Sequence, residues 1–207
     1  MKLTWRRQTL RTRHTWATAK SSLDQKETLV VELEHDGIRA LGEATPSPLF
    51  HQSLDASERS FAEMQDLLGS DPFALHEILT RLIDHCDDTR DAICAVENAL
   101  YSWVGQKLKL PVWQLLGLPE PRVYTTFTIG IAQPDEVREK VKEAISAGFD
   151  RLKVKVGSDH DEKSLAIIRE AFDGPLFLDA NQAWRVLPDT RAGGRDQWRL
   201  FVRRNCF

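Results

Sequence analysis

The sequence is poor in cysteine. Cys86, Cys94 and Cys206 are odd in number and lack the close spacing of a metal site, which argues against a disulfide-framed scaffold and for a reducing, cytoplasmic setting. Long apolar runs are missing too. No stretch approaches the roughly 20 residues that a membrane span needs, so no membrane partner is expected. Neither sign of charge dominates: 28 Lys and Arg stand against 31 Asp and Glu, a net charge of -3, which does not favour nucleic acid as a partner. No glycine-rich loop follows a strand, so a phosphate-cradling domain fits poorly. The basic N-terminus, Met1 to His14, has no apolar h-region and shows no secretory signal. Its Arg and Thr content would suit a transit peptide, but Leu3, Trp5 and Leu10 run into a first strand.

What remains is a soluble globular composition, 42% hydrophobic and 29% charged over 207 residues, enough for one ordinary domain or two small ones. Thr28 to Leu33 and Ile38 to Gly42 read as strands around His35-Asp36-Gly37, a hairpin turn signal. Ala44 to Phe50, with two prolines, reads as a loop. Three helical segments follow: one capped by Asp55 or Ser57 and stopped by Gly69, then Phe73 to Cys86, then Asp91 to Leu108. From Val123 the pattern becomes strand, helix, strand, helix, strand. Val123 to Ile131 is the first strand, Pro134 and Asp135 open a helix that ends at Gly148, and a second helix leads to Gly174-Pro175. Alternating strands and helices predict a parallel sheet covered by helices.

The centre of that second part is Arg151-Leu152-Lys153-Val154-Lys155-Val156-Gly157. Strand alternation puts Lys153 and Lys155 on one face and Leu152, Val154 and Val156 on the other. On an edge strand both lysines would be solvated. In a closing barrel they would face the interior, where bare ammonium groups are costly and call for a carboxylate, a metal-ligand cluster or an anionic substrate. Leu176 to Asn181 supplies a neighbouring strand, with Asp179 and Asn181 on one face by the same alternation. A carboxylate at a strand's C-terminal end beside lysines on its neighbour is a barrel-mouth arrangement. Two ammonium groups about 7 Å apart, two strand rises, disfavour each other's charged form. A lysine brought toward neutrality is a general base, and Asp179 offers a hard oxygen ligand for Mg²⁺. Base plus metal suits removal of a proton alpha to a carboxylate.

Lys153-Val154-Lys155 followed by Asp179-Ala180-Asn181-Gln182-Ala183-Trp184 resembles the enolase superfamily, muconate lactonizing enzyme subgroup. Gly42-Glu43-Ala44-Thr45-Pro46, Glu97-Asn98-Ala99-Leu100 and Leu110 to Gly117 are similar to that subgroup's capping domain and its link into the barrel. Thr126-Phe127-Thr128-Ile129-Gly130-Ile131 looks most like the dipeptide epimerases, which interconvert L-Ala-D-Glu and L-Ala-L-Glu or related dipeptides. The resemblance covers about residues 3 to 184. It implies a lysine base, Mg²⁺ and an enediolate intermediate, a small dipeptide substrate and homo-oligomeric full-length members. Residue by residue, it implies Lys155 as the acid/base, Lys153 beside it holding the substrate carboxylate, Asp179 as a metal ligand, Asn181 near the metal and Thr128 in contact with substrate. Thr18 to Leu23 corresponds to a mobile specificity loop. Some relatives carry a carboxylate-binding arginine there, whereas this chain has Lys20 and reads as solvated. Muconate cycloisomerase, o-succinylbenzoate synthase and N-acylamino acid racemase share the lysine strand and the aspartate. A non-catalytic binding protein is the competing reading from another class.

After Trp184 the resemblance stops. Arg185 to Phe207 has six arginines, no lysine, no glutamate and a Gly-Gly pair, and reads as an aberrant or disordered basic tail. The expected architecture is an α+β capping domain over 1–120, then about three strands of an incomplete (β/α) TIM-like barrel over 121–184, then the tail over 185–207. On that reading two metal ligands, the lysine for the opposite substrate face and the residues gripping the dipeptide's amino group are absent, and the chain by itself is inactive.

Overall fold

The computed structural model describes residues 1–183; Trp184 and the tail expected over 185–207 lie outside the described residues. The chain forms two compact units. The first comprises Met1–Arg11 and Gln25–Arg122, and the second comprises Thr12–Asp24 and the chain from Val123 onward.

The first unit is built on a sheet of order β1 (Lys2–Ala17), β2 (Ser22–His35), β3 (Ile38–Ala44). β2 and β3 pair antiparallel with His35 opposite Ile38. Both residues of the turn between them, Asp36 (φ 49°) and Gly37 (φ 73°), are left-handed, as a two-residue Asp-Gly hairpin requires. β2 starts at Ser22, earlier than the apolar pattern suggests. Its first residues are mostly exposed, so pairing to a neighbouring strand rather than burial extends it. Leu29, Val31 and Leu33 alternate onto one face and are fully buried.

Three helices cover that face: α1 (Leu54–Leu67), α2 (Leu75–Cys86) and α3 (Arg90–Leu108). α3 packs hardest, through Ala92, Ala95, Val96, Ala99, Leu100 and Trp103. A β-carbon added at Gly42 would lie 1.9 Å from the Ala95 carbonyl oxygen, so β3 and α3 approach backbone to backbone through a glycine. The Trp103 indole N–H donates to the His35 carbonyl at 2.9 Å. The cap of α1 is a correction. Ser53, not Asp55 or Ser57, accepts the Ala56 N–H at 3.2 Å, because the helix begins earlier, at Leu54. Asp55 instead meets Arg7, and the buried Ser57 hydroxyl donates to Asp91 at 2.6 Å. Pro48–Phe50, expected as loop, forms a single 3-10 turn, and a short helix, α4 (Val112–Leu115), follows α3.

In the second unit three parallel strands lie in the order β4 (Phe127–Ile129), β5 (Leu152–Lys155), β6 (Leu176–Asp179), linked by α5 (Pro134–Ser146) and α6 (Asp161–Ala171). Proline opens α5 at its first position, where its missing N–H costs nothing. Leu152, Val154 and Val156 are at most 2% exposed and pack with Val137, Val141, Ala144, Leu165 and Ile168 of the helices. β4 is shorter than the expected Val123–Ile131. Its register with β5 begins at Phe127 opposite Leu152, so the residues before it lie outside the ladder, and Val123 and Tyr124 are 86% and 73% exposed.

Candidate active site

β5 presents Lys153 and Lys155 on the face turned away from the α5 and α6 core. The register sets Lys155 directly opposite Asp179 on β6, and Lys153 opposite Thr128 on β4. Both ammonium groups converge on one oxygen: Asp179 Oδ2 lies 2.7 Å from Lys155 Nζ and 2.8 Å from Lys153 Nζ. The carboxylate expected beside two inward-facing lysines is therefore in place.

The same two cations, with the Asn181 backbone N–H donating to Oδ1 at 3.0 Å, hold the Asp179 carboxyl far below the usual carboxylate range. The Lys153 contact is the largest cause and the Lys155 contact the next. The two lysines differ in setting. Lys155 keeps 7% of its side chain exposed and Lys153 39%. Lys155 also donates to Asn181 Oδ1 at 2.9 Å.

Asn181 reaches that position by a different route from the expected strand alternation. β6 ends at Asp179, and Asn181 and Gln182 are both left-handed (φ 46° and 63°). Asparagine tolerates this conformation, and a side-chain oxygen accepting the N–H two residues on stabilises the turn. The structure thus joins Lys153, Lys155, Asp179 and Asn181 by direct contacts. Thr128 lies in the same row beside Lys153 and shares no hydrogen bond with them among the described residues.

Two contributors escaped the sequence reading. The ribbon formed by Thr12–Asp24 turns at Thr18, whose N–H donates to the Ser21 carbonyl at 2.8 Å. On that ribbon Lys20, exposed as expected, donates to Gln182 Oε1 at 2.7 Å, and the Trp16 ring lies 5.9 Å from Lys155 Nζ. Gly157, at φ +116°, has the Ala183 and Ala19 methyl carbons 2.6 and 2.9 Å from where its β-carbon would be. Gln182 belongs to the quoted motif, and its glutamine type was the available signal. Trp16, an exposed aromatic far away in sequence, offered none.

The mandelate racemase / muconate lactonizing enzyme N-terminal domain matches residues 2–117, and the enolase C-terminal domain-like family matches residues 136–196. The chain belongs to the mandelate racemase / muconate lactonizing enzyme family. Within it, the chain is 35% identical over 186 residues to an L-Ala-D/L-Glu epimerase of Bacteroides thetaiotaomicron, covering 89% of this chain and 48% of that protein. It is 32% identical over 185 residues to a hydrophobic dipeptide epimerase of Enterococcus faecalis, covering 84% and 51%. The crystal structure of the Enterococcus faecalis V583 dipeptide epimerase complexed with Mg and L-Leu-L-Tyr superposes with a TM-score of 0.81 at 31% identity, over 88% of this chain and 53% of that one. The chain spans about half the length of the curated relatives it matches. The α+β capping architecture and the three-strand start of an enolase-type barrel are those of its structural neighbours, as the sequence implied.

The Enterococcus faecalis neighbour is complexed with Mg, and the side chains of this chain offer only part of a donor set for such an ion. Asp179 offers one carboxylate, already engaged on both oxygens. Among the described residues no group of three or more His, Cys, Asp or Glu could hold a metal ion. One ligand fits and a complete site is not made by these residues alone. Among them, too, no helix is long and apolar enough to cross a membrane.

Proposed function

We propose that this chain carries one face of a racemase/epimerase site that acts on the carbon alpha to the carboxylate of a dipeptide, of the L-Ala-D/L-Glu type, in a cytoplasmic, homo-oligomeric enzyme. The observation that carries the reading is the convergence of Lys153 and Lys155 on Asp179 at the C-terminal ends of neighbouring parallel strands. Lys155 is the acid/base. Donating to both Asp179 and Asn181, it is drawn in its acid form. As a base, its neutral Nζ takes the α-proton, leaves an enediolate and returns the proton to the same face. Lys153, the more exposed of the two, is free to turn toward the substrate carboxylate while Thr128 lines the row beside it. Mg²⁺, when bound, supplies positive charge against the enediolate, and Asp179 is the residue present that would ligate it. The described residues do not complete that site by themselves.

Inversion needs a proton donor on the opposite face, and among the described residues the group is one-sided, so these residues alone are expected to exchange the α-proton without inverting the centre. The test is proton NMR of L-Ala-L-Glu with the 207-residue protein and Mg²⁺ in D₂O. Slow exchange of the α-proton with retained configuration, abolished in Lys155→Ala, is expected. Appearance of the L-Ala-D-Glu epimer would overturn the one-sidedness, and exchange equal in wild type and Lys155→Ala would overturn the base.

A further inference from the structure

Lys153 and Lys155 share a strand, a face and an ion-pair partner, yet the second is far more enclosed, at 7% against 39% of the side chain exposed. An ammonium group has three donors. Two of those on Lys155 go to Asp179 and Asn181; the third has no hydrogen-bond acceptor among the described residues. On the ammonium lies the ring of Trp16, 5.9 Å from Nζ to centroid, within the range in which an indole face attracts a cation. Trp16 is itself 41% exposed and belongs to neither hydrophobic core, so core packing does not account for its place.

What places it is backbone. The Ile131 N–H donates to the carbonyl of Ala17, next to Trp16, at 3.1 Å. A β-carbon at Gly130 would stand 3.2 Å from that carbonyl oxygen and 3.4 Å from the Ala17 nitrogen, so the ribbon seats against the end of β4 where a glycine leaves room. Farther along, Arg13 and His14 both pair with Glu143 of α5.

We propose that Trp16 is a positioning residue for Lys155. Its ring takes the place of water on the ammonium's remaining side and holds Nζ toward Asp179 and Asn181. The role rests on the acid/base reading of Lys155, but its test needs neither substrate nor turnover. The 207-residue protein is dimethylated with formaldehyde and cyanoborohydride, and the rate at each lysine is read by tandem mass spectrometry. In the wild type Lys155 lags behind Lys153. Trp16→Ala raises the Lys155 rate about fivefold relative to Lys153, mid-range for a half-exposed cation–π contact. Trp16→Phe, which keeps a ring, stays near wild type. Gly130→Ala, which displaces the ribbon and leaves the indole intact, moves the ratio in the same direction as Trp16→Ala. An unchanged ratio in both Trp16→Ala and Gly130→Ala overturns the proposal, as does Trp16→Phe labelling as fast as Trp16→Ala, or both lysines accelerating together. A dipeptide that fails to exchange would sink the functional reading and leave this measurement standing.

Discussion

The β3–α3 contact of the first unit and the β5–β6 row of the second are both built on strand alternation, and they use it to opposite ends. Around β3 the inward positions are filled with Leu29, Val31, Leu33, Ala95 and Trp103, and the closest approach is made by removing a side chain altogether, at Gly42. Two buried hydroxyls nearby, those of Ser60 and Thr89, lie 2.6 Å apart and hydrogen-bond each other. On β5 one face is equally dry, but the other carries two cations and borrows a single carboxylate from β6. Burying charge lowers stability unless it is paired. A strand serving stability alone would carry apolar residues at 153 and 155. The first unit fills its interior for cohesion, and the second keeps a charged row that cohesion does not require, which is what the proposed acid/base role calls for.

The largest break in the comparison is expected from Trp103→Ala, which empties the centre of the first core and removes the bond to His35. It should cost about 4 kcal/mol, read as a lower urea midpoint. Next is an asymmetric pair in the second unit. Asp179→Ala leaves two lysines without their shared partner and should destabilise by about 2 kcal/mol, reduced from the fully buried case because the aspartate side chain is 28% exposed. Lys155→Met, which replaces the enclosed cation by an apolar chain of similar length, should fall within about 1 kcal/mol of wild type while abolishing α-proton exchange. Equal losses from the two would erase the distinction between cohesion and chemistry. Ser53→Ala, removing the α1 cap, should cost about 1 kcal/mol, seen in thermal denaturation.

The smallest effect is acid-side. Asp179 sits well below its ordinary range in the folded chain, so its contribution is present above the unfolded value of about 4 and is lost as pH falls through the folded value. Urea stability measured from pH 6 down to 3 should drop less steeply in Asp179→Asn than in wild type.

Some of this was legible in particular residues. Asp36-Gly37 announced a hairpin because few other pairs accept two positive φ angles. Pro134 announced a helix start because its lost N–H is harmless there. Lys153 and Lys155 announced a shared face because a strand leaves no other choice. Misreadings fell where a neighbour decided the outcome. β4 shrank to three residues because β5 offers no ladder before Leu152, and β2 lengthened because a strand beside it does. Ser53 rather than Asp55 became the cap because the helix starts at Leu54, which puts the Ser53 oxygen within reach of the Ala56 N–H. Asn181 joined the lysines through a left-handed turn that alternation does not describe.

The sequence by itself determined which residues alternate, where the helices carry apolar stripes, and that two lysines and an aspartate lie at strand ends in the pattern of this family. These are local properties, set by the two- and 3.6-residue periods of the backbone. Only the tertiary structure decided that Asp179 stands opposite Lys155 and bridges both cations, and that a ribbon more than a hundred residues away in sequence sets an indole over one lysine and not the other. Register, and the approach of distant backbone through Gly130, depend on contacts between segments that no local period encodes.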